Sequence, residues 1–99
     1  MPSRFVDVDP RELHVSTSRV SGADPYKLQQ QIARFGASSL RMPPIWAYET
    51  FDGGLVISNG VTRATRIAKL DPGALVRVEV IGKTRTSTAK LPKIGDLIP

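Results

Sequence analysis

The apolar positions of this 99-residue chain switch between a period of two and a period near 3.6, and each switch predicts an element. Phe5, Val6 and Val8 in "FVDVDPREL" predict a short strand that stops at Asp9-Pro10, where proline restricts the residue before it. Residues 13–20 are rich in Ser and Thr and fit neither period. In "GADPYKLQQQIARFG", Asp24 is a natural N-cap, Pro25 suits the first helical position and Gly36 suits the C-terminal cap. Leu28, Ile32 and Phe35 then share one face of that helix, with Gln29, Gln30 and Arg34 pointing elsewhere. "PPIWAYETFDGGLVIS" predicts a β-hairpin with strands over 45–50 and 55–58, turned by Asp52-Gly53-Gly54. Val61, Ala64, Ile67 and Ala68 predict a helix over 61–70 whose buried stripe leaves Arg63 and Arg66 to one side, and "DPG" at 71–73 stops it. Leu75, Val76, Val78 and Val80 alternate with Arg77 and Glu79 in a half-buried strand that ends at Gly82.

The order strand, helix, hairpin, helix, strand predicts a small single-domain α+β fold, a mixed sheet with two helices over residues 1–82. Residues 83–99, "KTRTSTAKLPKIGDLIP", form a basic tail without a period, expected as a linker, an arm or a loosely docked end. Its Leu91, Ile94, Leu97 and Ile98 are available for docking on the domain or on a protein partner.

Composition narrows the function classes. No apolar run approaches the roughly 20 residues that span a bilayer, so no membrane partner is expected. The opening "MPSRFVDVDP" lacks the apolar core of a secretory leader. The absence of cysteine excludes disulfides, thiolate metal ligands and cysteine nucleophiles, and suits the cytoplasm. Were the chain a module cut from a longer protein, a secreted effector is the other expectation. The formal charge of +5 favours anionic partners or reflects a solvated basic surface.

Candidate chemistry concentrates at "LVISNGVTRATRIAKL". A strand turning through Asn59-Gly60 into a helix presents free backbone N–H groups and the positive end of the helix dipole. Gly60 permits close approach, Thr62 adds a hydroxyl, and Arg63 offers a planar guanidinium suited to phosphate. The same residues also suit a plain tight turn in which Asn59 caps the helix and the arginines are solvated. His14 is the only histidine, so no catalytic triad or multi-histidine metal site can be built around a second one, and an exposed or locally bonded imidazole is expected. Asp7, Asp9, Glu49 and Asp52 are the carboxylates that could accompany a divalent metal on a phosphate substrate, although they lack a pairing at convincing spacing. Trp46 and Tyr48 share a strand face, suited either to base stacking or to hairpin and core packing.

The strand after "PPI", the "DGG" hairpin, the apolar strand running into "ISNGVTRATR", the short helix and the closing "VRVEVI" together resemble the ParB-like and sulfiredoxin-like superfamily. That resemblance spans residues 5–81, with about ten residues carrying its specific part. It implies a phosphate or nucleotide pocket at the glycine that opens the second helix. Gly60, Thr62 and Arg63 would hold the phosphate, with Asn59 beside them and Arg66 as a second basic contact. Val61 stands where sulfiredoxins carry cysteine and where other members carry glutamate or histidine, which excludes cysteine-dependent sulfinic acid reduction and weighs against hydrolysis. The expected function is therefore binding of a phosphate-bearing ligand, a nucleotide or nucleic-acid backbone. No resident metal or cofactor is implied beyond a divalent ion such as Mg²⁺ arriving with the phosphate. The alternatives are a nuclease-like or phosphotransfer effector module of a larger bacterial protein, and a degenerate domain used for protein–protein contact.

Overall fold

A computed structural model describes residues 3–98. Strand β1 (Arg4–Val8), helix α1 (Pro25–Phe35), strands β2 (Ile45–Thr50) and β3 (Leu55–Asn59), helix α2 (Val61–Leu70), strand β4 (Val76–Thr84) and the short helix α3 (Ile94–Leu97) follow one another along the chain. The strands form one mixed sheet in the order β1-β4-β2-β3, with β4 antiparallel to β1 and parallel to β2, and β2 antiparallel to β3.

Sequence alternation decides which face of the sheet is buried. Val78 and Val80 of β4, Ile45 and Ala47 of β2 and Ile57 of β3 are buried with Val61, Ala64, Ile67 and Ala68 of α2 in one core. The other face keeps Phe5 and Trp46 half-exposed in a cross-strand row with Glu79 between them. Trp46 and Tyr48 thus lie outside the core rather than in it. Bulges interrupt the alternation beside Ala47, and β4 continues past Gly82 to Thr84 instead of ending there. At Gly82 a side chain would meet the Tyr48 ring at 3.3 Å, so this glycine accommodates an aromatic neighbour and does not terminate the strand.

Helix α1 begins as its residues predict: the Asp24 carboxylate accepts from the Tyr26 N–H at 2.9 Å, and Gly36 closes the helix at φ +58°. It packs on α2 rather than on the sheet. Leu28 and Ile32 are therefore only half-buried, and Phe35, expected on the core face, is 48% exposed.

The stretch that follows neither period proves to be a rib of the fold. The His14 N–H donates to Leu55 O and its carbonyl accepts from Ile57 N–H, both at 2.9 Å, which lays residues 13–15 along the outer edge of β3. On the far side of that rib, Val15 N–H donates to Pro92 O at 3.0 Å and Ile94 N–H to Leu13 O at 2.8 Å. Leu13, Val15 and Ile94 are fully buried. Residues 91–98 are thus docked, with Ile94 in the main core, and among the described residues the segment from 83 onward is no loose arm. His14 is bonded over a long range, its Nδ1 lying 2.8 Å from Leu91 O.

The turn of the hairpin clasps the same segment. The Asp52 carboxylate accepts from the Thr88 N–H at 2.9 Å, from the Thr88 and Ser87 hydroxyls at 3.0 Å and from the Thr50 hydroxyl. These bonds, that from Thr50 foremost, hold its carboxyl well below the ordinary carboxylate pKa of 3.8. A carboxyl whose pKa is depressed by folding contributes in full above its unfolded value and loses that contribution progressively as the pH falls from there to its depressed folded value. Asp52→Asn should therefore melt below wild type at about pH 6, with the gap narrowing progressively below about pH 4 and clearly smaller at about pH 2. A gap of equal size at both pH values would show that the charge of Asp52 is not what holds the clasp.

Candidate functional site

The β3–α2 junction opens into a cleft of about 330 Å³. Gly60, the N-cap of α2, sits at φ +113°, a left-handed conformation that disfavours any side chain. A Cβ there would also stand 3.1 Å from the Ile45 side chain and 2.9 Å from Arg63 Nη2, the end of a flexible side chain, so the space is tight as well. Asn59 does not cap the helix. It is the last residue of β3, and no side chain caps α2. The first-turn N–H groups of Val61, Thr62 and Arg63 therefore have no intrahelical acceptor, and they stand at the positive end of the helix dipole.

Asn59, Gly60, Thr62 and Arg63 all line this cleft. The Arg63 guanidinium folds back over Gly60, and its Nη2 donates to Pro44 O at 3.0 Å and to Asn59 Oδ1 at 3.3 Å. The Pro44 carbonyl ties α2 to the entry of β2 and Asn59 ties it to the end of β3. Burial pushes the Arg63 pKa down from its ordinary value, yet an arginine remains cationic at neutral pH.

Arg66 takes a different place. It was expected off the buried stripe, but it is 2% exposed and does not line this cleft. Its Nη1 donates to Gly36 O at 2.8 Å and Ser38 O at 2.7 Å, and its guanidinium lies over the Phe35 ring, 5.3 Å from the centroid. The physical reason is the position of α1. Covering α2 with a second helix buries the flank that a helix lying on a sheet alone would leave to solvent.

The tertiary structure adds residues that sequence reasoning did not select. Lys27 and Gln31 reach the cleft from α1, one helical turn apart, and Ser16, Ser18 and Arg19 reach it from the 3₁₀ turn around Thr17–Arg19. The four-residue spacing of Lys27 and Gln31 was a visible signal that both lie on one side of α1. Nothing local marks Ser16, Ser18 and Arg19, because the 13–15 rib along β3 is what delivers them. Arg19, Lys27 and Arg63 thus surround the uncapped helix start, and among the described residues no carboxylate lines the cleft.

The carboxylates considered for a metal do not assemble. Asp9 accepts from the Arg11 N–H at 2.9 Å, Asp7 lies 3.6 Å from Arg77, Glu49 accepts from Arg4 at 3.1 Å and Asp52 holds the hairpin clasp. Among the described residues no helix is long and apolar enough to cross a membrane. The chain matches no family model, no curated protein and no solved structure.

Proposed function

We propose that the cleft at the start of α2 binds a phosphate-bearing ligand, a nucleotide or a stretch of nucleic-acid backbone. The observation that carries this reading is the convergence of Arg19, Lys27 and Arg63 on three uncapped amides in a cleft without a carboxylate. Backbone N–H groups at a helix start and cationic side chains around them are the two components of a phosphate site, one directional and one long-ranged. The resemblance to ParB-like and sulfiredoxin-like domains supports the same position for the phosphate. Binding, rather than turnover, is what these residues favour. The side chain of Val61, at the position where that superfamily carries its reactive residue, is buried in the core. A divalent ion such as Mg²⁺ would arrive with the phosphate.

The test is a thermal-shift titration of wild type, Lys27→Ala and Arg63→Ala against phosphate, pyrophosphate, mononucleotides and short single-stranded oligonucleotides, with and without Mg²⁺. A ligand at about 100 times its Kd should add about 2.7 kcal/mol of stability to wild type. Arg63→Ala also loses the bonds to Pro44 and Asn59, so Lys27→Ala, altered at an exposed side chain, is the cleaner variant. Both variants should lose affinity. For an oligonucleotide, Lys27→Ala should also flatten the slope of log K against log salt by about 0.7, the share of one single-strand phosphate contact. A wild type that no probe shifts, or a Lys27→Ala protein that binds as wild type does, would overturn the assignment.

A further inference from the structure

Beside the first cleft lies a second, of about 360 Å³, which shares Gln31 and Arg63 with it and has apolar walls from Phe35, Leu40, Met42 and Pro43. Its charged residue of interest is Arg66. Arg66 as a residue is 98% buried, and it has no carboxylate partner among the described residues. Its Nη1 is occupied by two carbonyls, whereas its Nη2 meets only the Met42 thioether sulfur at 3.4 Å, a weak acceptor, and its Nε has no partner.

The Nε and Nη2 hydrogens of a guanidinium form the parallel fork that a carboxylate takes in bidentate fashion. In Arg66 that fork is filled by a flexible methionine. Moreover, the buried side-chain polar atoms without a partner among the described residues are Gln31 Oε1, Arg63 Nε and Arg66 Nε, and all three belong to residues of this cleft. Burying a cation without a counter-charge is costly, and strained backbone collects at ligand clamps. The loop beside the fork carries such a strain at Arg41, whose φ is +59°.

We propose that this second cleft binds a small monocarboxylate with an apolar aromatic or branched body. The carboxylate takes the Nε–Nη2 edge of Arg66 in place of the Met42 sulfur, and the body packs against Phe35, Leu40 and Pro43. Arg41 and Arg63 also line the cleft, but Arg63 Nη2 is taken by Pro44 O and Asn59 Oδ1, so the open fork is that of Arg66 between apolar walls, which matches a monoanionic carboxylate better than a phosphate dianion, whose remaining oxygens would be stripped of water there. The cleft volume lies at the small end of ligand sites, about 300 Å³ and upward, which fits a body of one ring. Burial lowers the Arg66 pKa from its ordinary value, the direction expected for a cation with no compensating anion.

The experiment follows the arginine Nε–H resonances of the intact chain by NMR during titration with phenylacetate, its neutral isostere phenylacetamide, and inorganic phosphate. Phenylacetate should move the Arg66 Nε–H signal saturably, with phenylacetamide and phosphate leaving it in place. Leu40 is 81% exposed, so Leu40→Asp tests the site without a burden on folding and should weaken phenylacetate about tenfold or more through like-charge repulsion. Met42→Ala, which unblocks the fork, should strengthen it. Equal shifts from phenylacetamide, a stronger response to phosphate, a Leu40→Asp protein that titrates as wild type does, or an unmoved Arg66 signal would each overturn the proposal. None of these outcomes bears on the first cleft, whose test rests on Lys27 and phosphate probes.

Discussion

Ile94→Ala should destabilise the protein by about 2–5 kcal/mol, the cost of truncating a fully buried branched side chain and leaving a cavity. A domain of this size has about 5–15 kcal/mol in total, so the loss is a large part of the fold's stability. The size of the effect follows from where Ile94 sits. It is completely buried in the main core, and its own N–H pairs with Leu13 O at 2.8 Å, so it closes a rib that in turn covers the edge of β3. Urea denaturation with an unchanged m-value is the measurement. A loss below about 1 kcal/mol, within reach of an exposed substitution, would show that residues 91–98 fray from the domain and that the core closes without them.

Arg66→Ala should cost about 2–4 kcal/mol, for a different reason. Removing the side chain leaves a cavity between α1 and α2, orphans Gly36 O and Ser38 O, and strips the Phe35 ring of the cation above it. In a chain of about 100 residues that corresponds to a fall in Tm of about 10 °C or more. The loss should be local as well as global, with amide exchange accelerating at Met42, whose N–H donates to Ser39 O at 3.0 Å inside the loop that Arg66 holds. A variant within about 0.5 kcal/mol of wild type, with unchanged exchange in residues 37–44, would mean that the loop is organised without Arg66. The same substitution should abolish binding of phenylacetate, but Leu40→Asp separates that effect from folding.

Most of the regular elements were legible along the chain because their signals are local. Asp24, Pro25 and Gly36 bound α1 through hydrogen bonds and φ preferences that involve near neighbours only. The hairpin over 45–59 and the helix Val61–Leu70 declare themselves through alternation, the "DGG" turn and the spacing of Val61, Ala64 and Ile67. The α+β class follows from their order. Part of the candidate phosphate site was legible for the same reason, since Asn59, Gly60, Thr62 and Arg63 are consecutive or nearly so and share one turn.

What escaped local reasoning depends on contacts between distant residues. The stretch 13–15 has no period of its own, because it is a single rib whose partners are Leu55 and Ile57 on one side and residues 92–94 on the other. The basic stretch from Lys83 left a linker, an arm and a loosely docked end all open, because a turn-rich, proline-containing segment carries no periodic sign of burial. Asp52 and the core rather than its own pattern hold it down.

By itself, then, the sequence determined α1, α2, the hairpin, the mixed α+β class and the glycine turn that opens α2, but not the short α3 at Ile94–Leu97, since the former rest on backbone preference and nearest-neighbour periodicity. Only the tertiary structure decided that Arg19 and Lys27 join Arg63 at one cleft, that Arg66 is buried against carbonyls, and that Ile94 belongs to the core. Those outcomes depend on where α1 and the 13–15 rib settle, and that is set by burial summed over long-range contacts which no short window of residues contains.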